Sequence, residues 1–417
     1  MRDLRGNDPL LLIDTGALAR NFRLLRRELA PASRSLLMPV LKSDAYGHGL
    51  PQAGLALALA GAKAFCVGTV EEAANLRKAL NAAGFAFGIR ILALLGASGA
   101  GDADLALAED ITLMLHRPDQ ARIWSGRAVR AATPLRVAFK LNSGMNRLGL
   151  ERKDFLGLLR TLNRNLSADL LCTHLATADQ PEELDYAREQ ARLFLSVWRE
   201  ARQLRPGLGV SLGNSAGLLN LRGILSPEEA ASLSLAHRPG IALYGVNPFQ
   251  GSELESLGQG LAPVMSLLAP VLEVHDLAPG SSIGYGRTFK TGRDTRVAVL
   301  RAGYADGIPR LLSWPGSPAF LGGGEVILAG RKTRILGRVC MQMLMVEVPR
   351  SLEDGEYLPV RPGDWACLLG RAGFSGGGKR QEAAPEEAIT ARMLAERAGT
   401  IPYEIFCSLG RNRKIFI

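Results

Sequence analysis

The sequence predicts an α/β chain with an N-terminal (β/α)8 barrel of the TIM type and a C-terminal mostly-β domain. Three observations predict it. Eight short apolar runs alternate with amphipathic helical segments over the first part of the chain. A Gly-, Pro- and Ser-rich stretch at 245–260, beginning Val246-Asn247-Pro248, changes the composition. Beyond it long helical patterns mostly stop, and β-branched runs are divided by Gly, Pro and Asp.

Leu10–Ile13 reads as a strand, and Asp14-Thr15 caps a helix to about Leu29 with Leu18, Phe22, Leu25 and Leu29 at helical spacing. The eight barrel strands are expected at Leu36–Leu41, Ala64–Val67, Ile91–Leu95, Ile111–Leu115, Leu135–Leu141, Leu170–Cys172, Gly209–Leu212 and Leu233–Ala236. Helices are expected at Leu50–Leu59, Val70–Ala83, Asp102–Glu109, Pro118–Val129, Arg152–Asn163 and Pro181–Leu204. A doubly wound open sheet competes until the strand ends are considered. In the second domain the strands fall at Val264–Val274, Arg296–Arg301, Glu325–Ala329, Thr333–Leu336, Leu344–Val348 and Trp365–Leu369. A late helix at Pro385–Ala398 precedes a final strand at Glu404–Ser408, and Ala372–Arg380 with Gly376-Gly377-Gly378 reads as a loop. The expected division is 12–250 for the barrel and 251–417, with the N-terminal strand 1–11, for the β domain.

With 417 residues, 47% hydrophobic and 22% charged, the chain has ample length for large cores and is not a disorder-prone composition. The net charge of +10 comes from scattered basic residues rarely interleaved with aromatics, which fits anionic metabolites better than nucleic acid. Five cysteines, Cys66, Cys172, Cys340, Cys367 and Cys407, are odd in number and widely spaced, which argues against a disulfide framework or a metal site and fits the cytoplasm. Within Met1–Asp14 the only apolar run, Pro9–Ile13, is too short for a signal-peptide core, and no segment approaches the ~20 apolar residues of a membrane span.

An active site in such a barrel gathers at the C-terminal ends of the strands. Met38-Pro39-Val40-Leu41 ends at Lys42, whose stem sits in apolar surroundings and whose amine is suited to nucleophilic or basic work once desolvated. Lys140 and Asn142 close the fifth strand, with Met145 and Arg147 after them; Thr173 and His174 close the sixth. Asn214 and Ser215 close the seventh, and His237 and Arg238 the eighth. The Asn214-Ser215-Ala216-Gly217 turn into a helix and the amides of Arg238-Pro239-Gly240-Ile241 suit a phosphate, although no P-loop pattern is present. A lysine amine, a phosphate cradle and an arginine in one barrel mouth point to pyridoxal 5'-phosphate.

The motifs resemble those of the alanine racemase family over nearly the whole chain. Lys42-Ser43-Asp44-Ala45-Tyr46-Gly47-His48 resembles its cofactor-lysine segment, with Tyr46 at the phosphate-binding tyrosine. Thr173–Asp179 resembles the segment whose histidine packs on the cofactor, and Arg238–Gly245 the one whose arginine meets the pyridine nitrogen. Ile283-Gly284-Tyr285-Gly286-Arg287-Thr288 matches the second-base motif; further matches are Gly303-Tyr304-Ala305-Asp306-Gly307, Gly337-Arg338-Val339-Cys340-Met341 and Ile401-Pro402-Tyr403-Glu404.

The resemblance implies racemisation by two bases, Lys42 and Tyr285, for interconversion of L- and D-alanine, the latter for peptidoglycan. It places Tyr46, His174, Asn214, Ser215, Arg238, Gly240, Ile241 and Tyr403 at the cofactor. Arg147, Met341 and Tyr304 come to the substrate, Lys140 becomes a site of carbamylation or a neighbour of an anion, and Tyr304 and Arg310 line a homodimer partner's site. No metal, nucleic acid or membrane is implied.

Two positions depart from the family pattern. Asn142 and Gln342 stand where it often has Asp, which removes negative charge near the substrate and keeps a broad-spectrum amino-acid racemase as the alternative. A decarboxylase of the same cofactor fold would use a cysteine where Gly284-Tyr285-Gly286 stands, and a non-catalytic carrier of the cofactor would lack the second domain.

Overall fold

The computed structural model describes residues 8–29, 35–85, 88–314, 323–375 and 378–417. It separates into two compact units: Gly16–Ala45 with Leu50–Ala262, and Met1–Thr15 with Tyr46–Gly49 and Pro263–Ile417.

The first unit is the barrel. Its strands are Leu36–Leu37, Ala64–Val67, Arg90–Ala93, Ile111–Leu115, Leu135–Lys140, Leu166–Cys172, Gly209–Ser211 and Leu235–His237, all parallel. The sheet closes where Leu41 N donates to Cys66 O (2.7 Å) and Cys66 N to Pro39 O (2.8 Å), around the bridge between Val40 and Cys66. Ala64–Val67 and Ile111–Leu115 are buried at every position, because parallel strands are covered on both faces and both must be apolar. Helices Leu50–Leu59, Val70–Ala82, Ala100–Ala108, Pro118–Ala131, Arg152–Thr161 and Leu184–Leu204 pack side by side with their neighbours. In Thr15–Arg27 the buried Leu18, Phe22 and Leu25 recur at helical spacing, so one stripe faces the core.

The second unit is built on a ten-stranded sheet. Leu10–Ile13 lies between Met265–Leu277, antiparallel to it, and Arg413–Phe416, parallel to it. Thr295–Leu300, Glu325–Leu328, Arg331–Leu336, Leu344–Glu347 and Trp365–Leu369 follow as antiparallel strands, with Ala372–Phe374 and Arg380–Glu382 at the far edge.

Four expectations change. The first barrel strand keeps only Leu36–Leu37 in regular pairing, since Pro39 has no N–H to give to a ladder. Glu404–Ser408 is not a strand: Pro402–Leu409 is a helix with Pro402 at its first turn and Ile405, Phe406 and Leu409 buried along one face. The closing strand is Arg413–Phe416 instead. The late helix is also shorter, Ala391–Ala398, because Pro385–Glu387 forms a separate 3-10 turn. Of the glycine run, Gly376 and Gly377 lie outside the described residues, and the flanking Ala372–Phe374 and Arg380–Glu382 pair as strands.

Candidate active site

Lys42 opens a turn that sequence patterns do not signal. Ser43, Asp44, Ala45 and Tyr46 all have φ near +55°, followed by Gly47 at +77°, so Lys42–Gly47 is a left-handed helical turn. Left-handed geometry costs non-glycine residues roughly 1–2 kcal/mol each. Part of the compensation is visible: Ala45 N bonds Leu41 O (2.8 Å), and Asp44 N bonds the Glu72 carboxylate (3.2 Å). That carboxylate also accepts from Gly68 N (2.7 Å) and Thr69 N (3.2 Å), within the capping box that starts helix Val70–Ala82. Glu72 was not anticipated here: the Thr69-x-x-Glu72 spacing is a capping-box signal for the helix start, and nothing local signals its link to the lysine segment. Asp44 in turn accepts from Leu50 N (2.7 Å) at the start of the next helix.

Four cations of the barrel unit act on one histidine. His174 is held well below its ordinary pKa by burial first, then by Lys140, Arg238, Arg147 and Lys42. Lys140 itself is pushed down to about 7, by burial first and then by Arg238, with Arg147 adding to it. The strand ends predicted to supply the site thus bring four positive charges to bear on His174.

Arg238 is 5% exposed and donates to the Ser211 hydroxyl and the Thr173 carbonyl, both neutral. Ser211 Oγ donates a hydrogen bond to Ala236 O (2.6 Å), and Thr173 Oγ1 bonds Ser143 Oγ (2.6 Å), so the cradle is itself braced. Neither Ser211 nor Thr173 was anticipated as a partner. His237, beside Arg238, is pushed down to about 4 by burial and by that guanidinium, and so stays neutral.

Asn214 caps helix Ser215–Leu219 by accepting from Gly217 N (2.9 Å), which gives it a local backbone role. Ser215 Oγ accepts from Gly240 N (3.0 Å) and Ala242 N (3.2 Å), bringing a hydroxyl and two amides to one point. Ile241 buries its side chain at the start of the Ile241–Tyr244 turn. These donors and the surrounding cations suit a phosphate and an electron-rich ring.

Asn142 is bound up in the loop that follows it. Its Nδ2 donates to Asn146 Oδ1 and Glu151 Oε1, both at 2.9 Å, and its Oδ1 accepts from Asn146 N (3.1 Å) and Gly144 N (3.3 Å). An aspartate here would face Glu151 carboxylate to carboxylate. The amide organises the loop that carries Met145 and Arg147.

The β unit holds the remaining candidates. Tyr285 is 71% exposed in a 3-10 turn between Gly284 (φ +70°) and Gly286 (φ +73°). Both glycines are required by their left-handed conformation; a Cβ at Gly284 or Gly286 would meet only the movable tips of Met345 (2.9 Å) and Arg338 (3.1 Å). Met341 and Tyr304 are 57% and 42% exposed, and Tyr46 packs its ring 5.7 Å from that of Tyr403. Lys42 belongs to one unit and Tyr46, Tyr285, Tyr304, Met341 and Tyr403 to the other.

Family models described as alanine racemase, N-terminal domain, and alanine racemase, C-terminal domain, match residues 13–248 and 264–416. The chain is 42% identical over 410 residues, 97% of each sequence, to an alanine racemase of Nitratidesulfovibrio vulgaris (strain DSM 19637 / Miyazaki F). A crystal structure of alanine racemase from D-cycloserine producing Streptomyces lavendulae is similar with TM-score 0.80 at 30% identity, covering 99% of this chain and 97% of that one. That of Bartonella henselae, with covalently bound pyridoxal phosphate, has TM-score 0.77 at 26% identity, covering 99% and 100%.

Proposed function

The chain belongs to the alanine racemase family, and we propose that Lys42 and Tyr285 are the two bases with which it interconverts L- and D-alanine. It is a pyridoxal-phosphate-dependent isomerase. Bound, the cofactor supplies an aldehyde that takes up the substrate amine and a ring that draws electron density from Cα. The observation that carries the site assignment is Arg238, buried on neutral partners among cations. An arginine is effectively never deprotonated, so it presents N–H donors to a ring nitrogen that must remain an acceptor. Arg238 would thus hold that nitrogen without giving it a proton.

The Lys42 amine would move a proton at one face of the substrate Cα, and the Tyr285 phenol would move one at the other. Ser215 with the Gly240, Ile241 and Ala242 amides holds the phosphate, with Tyr46, Tyr403 and Asn214 beside it. His174, kept neutral by burial and by its cationic neighbours, stacks or hydrogen-bonds and does not carry protons. Arg147 and the Met341 amide take the substrate carboxylate, with Tyr304 at the mouth. Lys140, partly deprotonated at physiological pH, is the group open to carbamylation, which would bring one negative charge to the field of Arg238 and Arg147.

The same reading makes the protein a homodimer with composite sites, 12–250 binding the cofactor and 251–417 supplying Tyr285 to the partner. The exposure of Tyr285, Tyr304 and Met341 on the single chain supports it. D-Alanine for peptidoglycan, made in the cytoplasm, is the proposed role. No helix among the described residues is long and apolar enough to cross a membrane.

The test is racemisation of L-Ala, L-Ser, L-Lys and L-Arg by the purified holoenzyme, read by optical rotation and by carbon dioxide release. Alanine is expected to turn over fastest with no gas released. Faster turnover of lysine or arginine would move the assignment to a broad-spectrum racemase, and carbon dioxide would end it. Tyr285→Phe should keep cofactor absorbance and lose most turnover.

A further inference from the structure

Two segments of the β unit carry Tyr304 and Met341, and one arginine joins them. Backbone bonds tie the Gly303–Gly307 turn to the loop at Cys340–Met343: Tyr304 N to Cys340 O (3.0 Å) and Ala305 N to Met341 O (2.8 Å). The approach is so close that a Cβ on Gly303 would lie 2.3 Å from Cys340 O. Inside the turn, the buried Asp306 accepts from Gly303 N (2.9 Å) and from Arg301 Nη1 (3.0 Å). The same Nη1 reaches the Gln342 carbonyl at 3.5 Å, and Nη2 meets the exposed Asp8 at 3.2 Å. The Arg301 and Asp306 side chains are only 18% and 12% exposed, so this pair is screened far less than a surface pair.

We propose that Arg301 is a positioning residue for substrate binding: by pairing with Asp306 and the Gln342 carbonyl it fixes the Met341 loop and neutralises the carboxylate packed in the adjoining turn. The proposal rests on the reading that Met341 N–H holds the substrate carboxylate. An amide donor binds an anion well only when it is already aimed, and an uncompensated negative charge nearby would repel the same anion. Removal of Arg301 does both kinds of harm. It removes one of the ties on the loop, leaving the backbone bonds, and it strands the Asp306 charge. The second effect separates a positioning role from a purely structural one, because removing the stranded charge should restore affinity without restoring the bond.

The experiment compares Arg301→Met, Arg301→Met with Asp306→Asn, Arg301→Lys and Asp8→Asn as holoenzymes. The readouts are KM and kcat for L-alanine, Ki for propionate as a bare carboxylate probe, cofactor absorbance and Tm. Arg301→Met should raise KM and Ki together by roughly tenfold while cofactor absorbance is kept, less than the ~100-fold that a 1 Å misplacement can cost, because the backbone bonds still hold the loop. The double variant should recover part of the rise, and Asp8→Asn should change nothing. Arg301→Lys keeps the charge without the fork and serves should the methionine chain not fold; its KM should rise about threefold. An unchanged KM in a folded Arg301 variant, with losses confined to Tm or kcat, overturns the proposal. No competition by propionate in the unaltered enzyme overturns instead the Met341 reading beneath it.

Discussion

Lys140 offers the sharpest test of the electrostatics of the barrel mouth. Folding takes its amine from an ordinary 10.5 to about 7, through burial and then the Arg238 charge. A shift of that size corresponds to a ceiling of roughly 5 kcal/mol between the protonation states. Between pH 7 and 10.5 the unfolded chain holds a proton that the folded chain has released, so stability rises with pH across that window. Below pH 7 both states are protonated and the full penalty is present. Lys140→Met keeps much of the apolar stem and removes the charge, so it should be more stable than the unaltered chain near pH 6.5. The advantage should shrink as pH rises, by about 4 kcal/mol between pH 7 and 10. Urea unfolding of cofactor-free protein in bicarbonate-free buffer measures it, and taking the difference between variants cancels titrations elsewhere. A stability difference constant within about 1 kcal/mol over that range would refute the argument that Lys140 is electrostatically strained.

Two further substitutions test the local geometry. Gly47→Ala puts a Cβ on a residue at φ +77°, 2.4 Å from Phe406 O and 2.8 Å from Gly410 Cα. Neither neighbour is a flexible side-chain tip, so a loss above about 3 kcal/mol is expected in thermal unfolding, with weakened cofactor retention as Tyr46 moves. A Tm within the error of the unaltered chain would contradict it. Asn142→Asp exchanges a donor at 2.9 Å from Glu151 for a second carboxylate. On this solvent-touched loop the cost is about 1 kcal/mol, with a raised KM for alanine; Glu151→Gln in the same chain should restore both. No rescue would mean that the Glu151 contact is not what selects asparagine.

Much of the barrel was legible because its strands are covered on both faces. Ala64–Val67 and Ile111–Leu115 are continuous apolar runs whose residues are all buried, and the ends read from sequence are the ends observed. Glu404–Ser408 misled for the converse reason. Five residues with a buried Ile405-Phe406 pair fit a strand or a helix alike, and the decision came from Leu409 and the packing of that face.

The sequence by itself determined which residue types end the strands: Lys42, Lys140, His174, Ser215 and Arg238 lie there because the barrel places every strand's C-terminal end at one mouth. It also carried the Gly284-Tyr285-Gly286 turn, whose backbone only glycine accepts without strain. Tertiary structure decided what those residues meet. The left-handed turn after Lys42 opposes the local preference of four residues and so could not be read from propensity. The neutral cradle of Arg238, the cations around His174 and the engagement of Asn142 join residues distant in the chain or separated by a loop. Charge and hydrogen bonding depend on distance in space, which a linear sequence does not record.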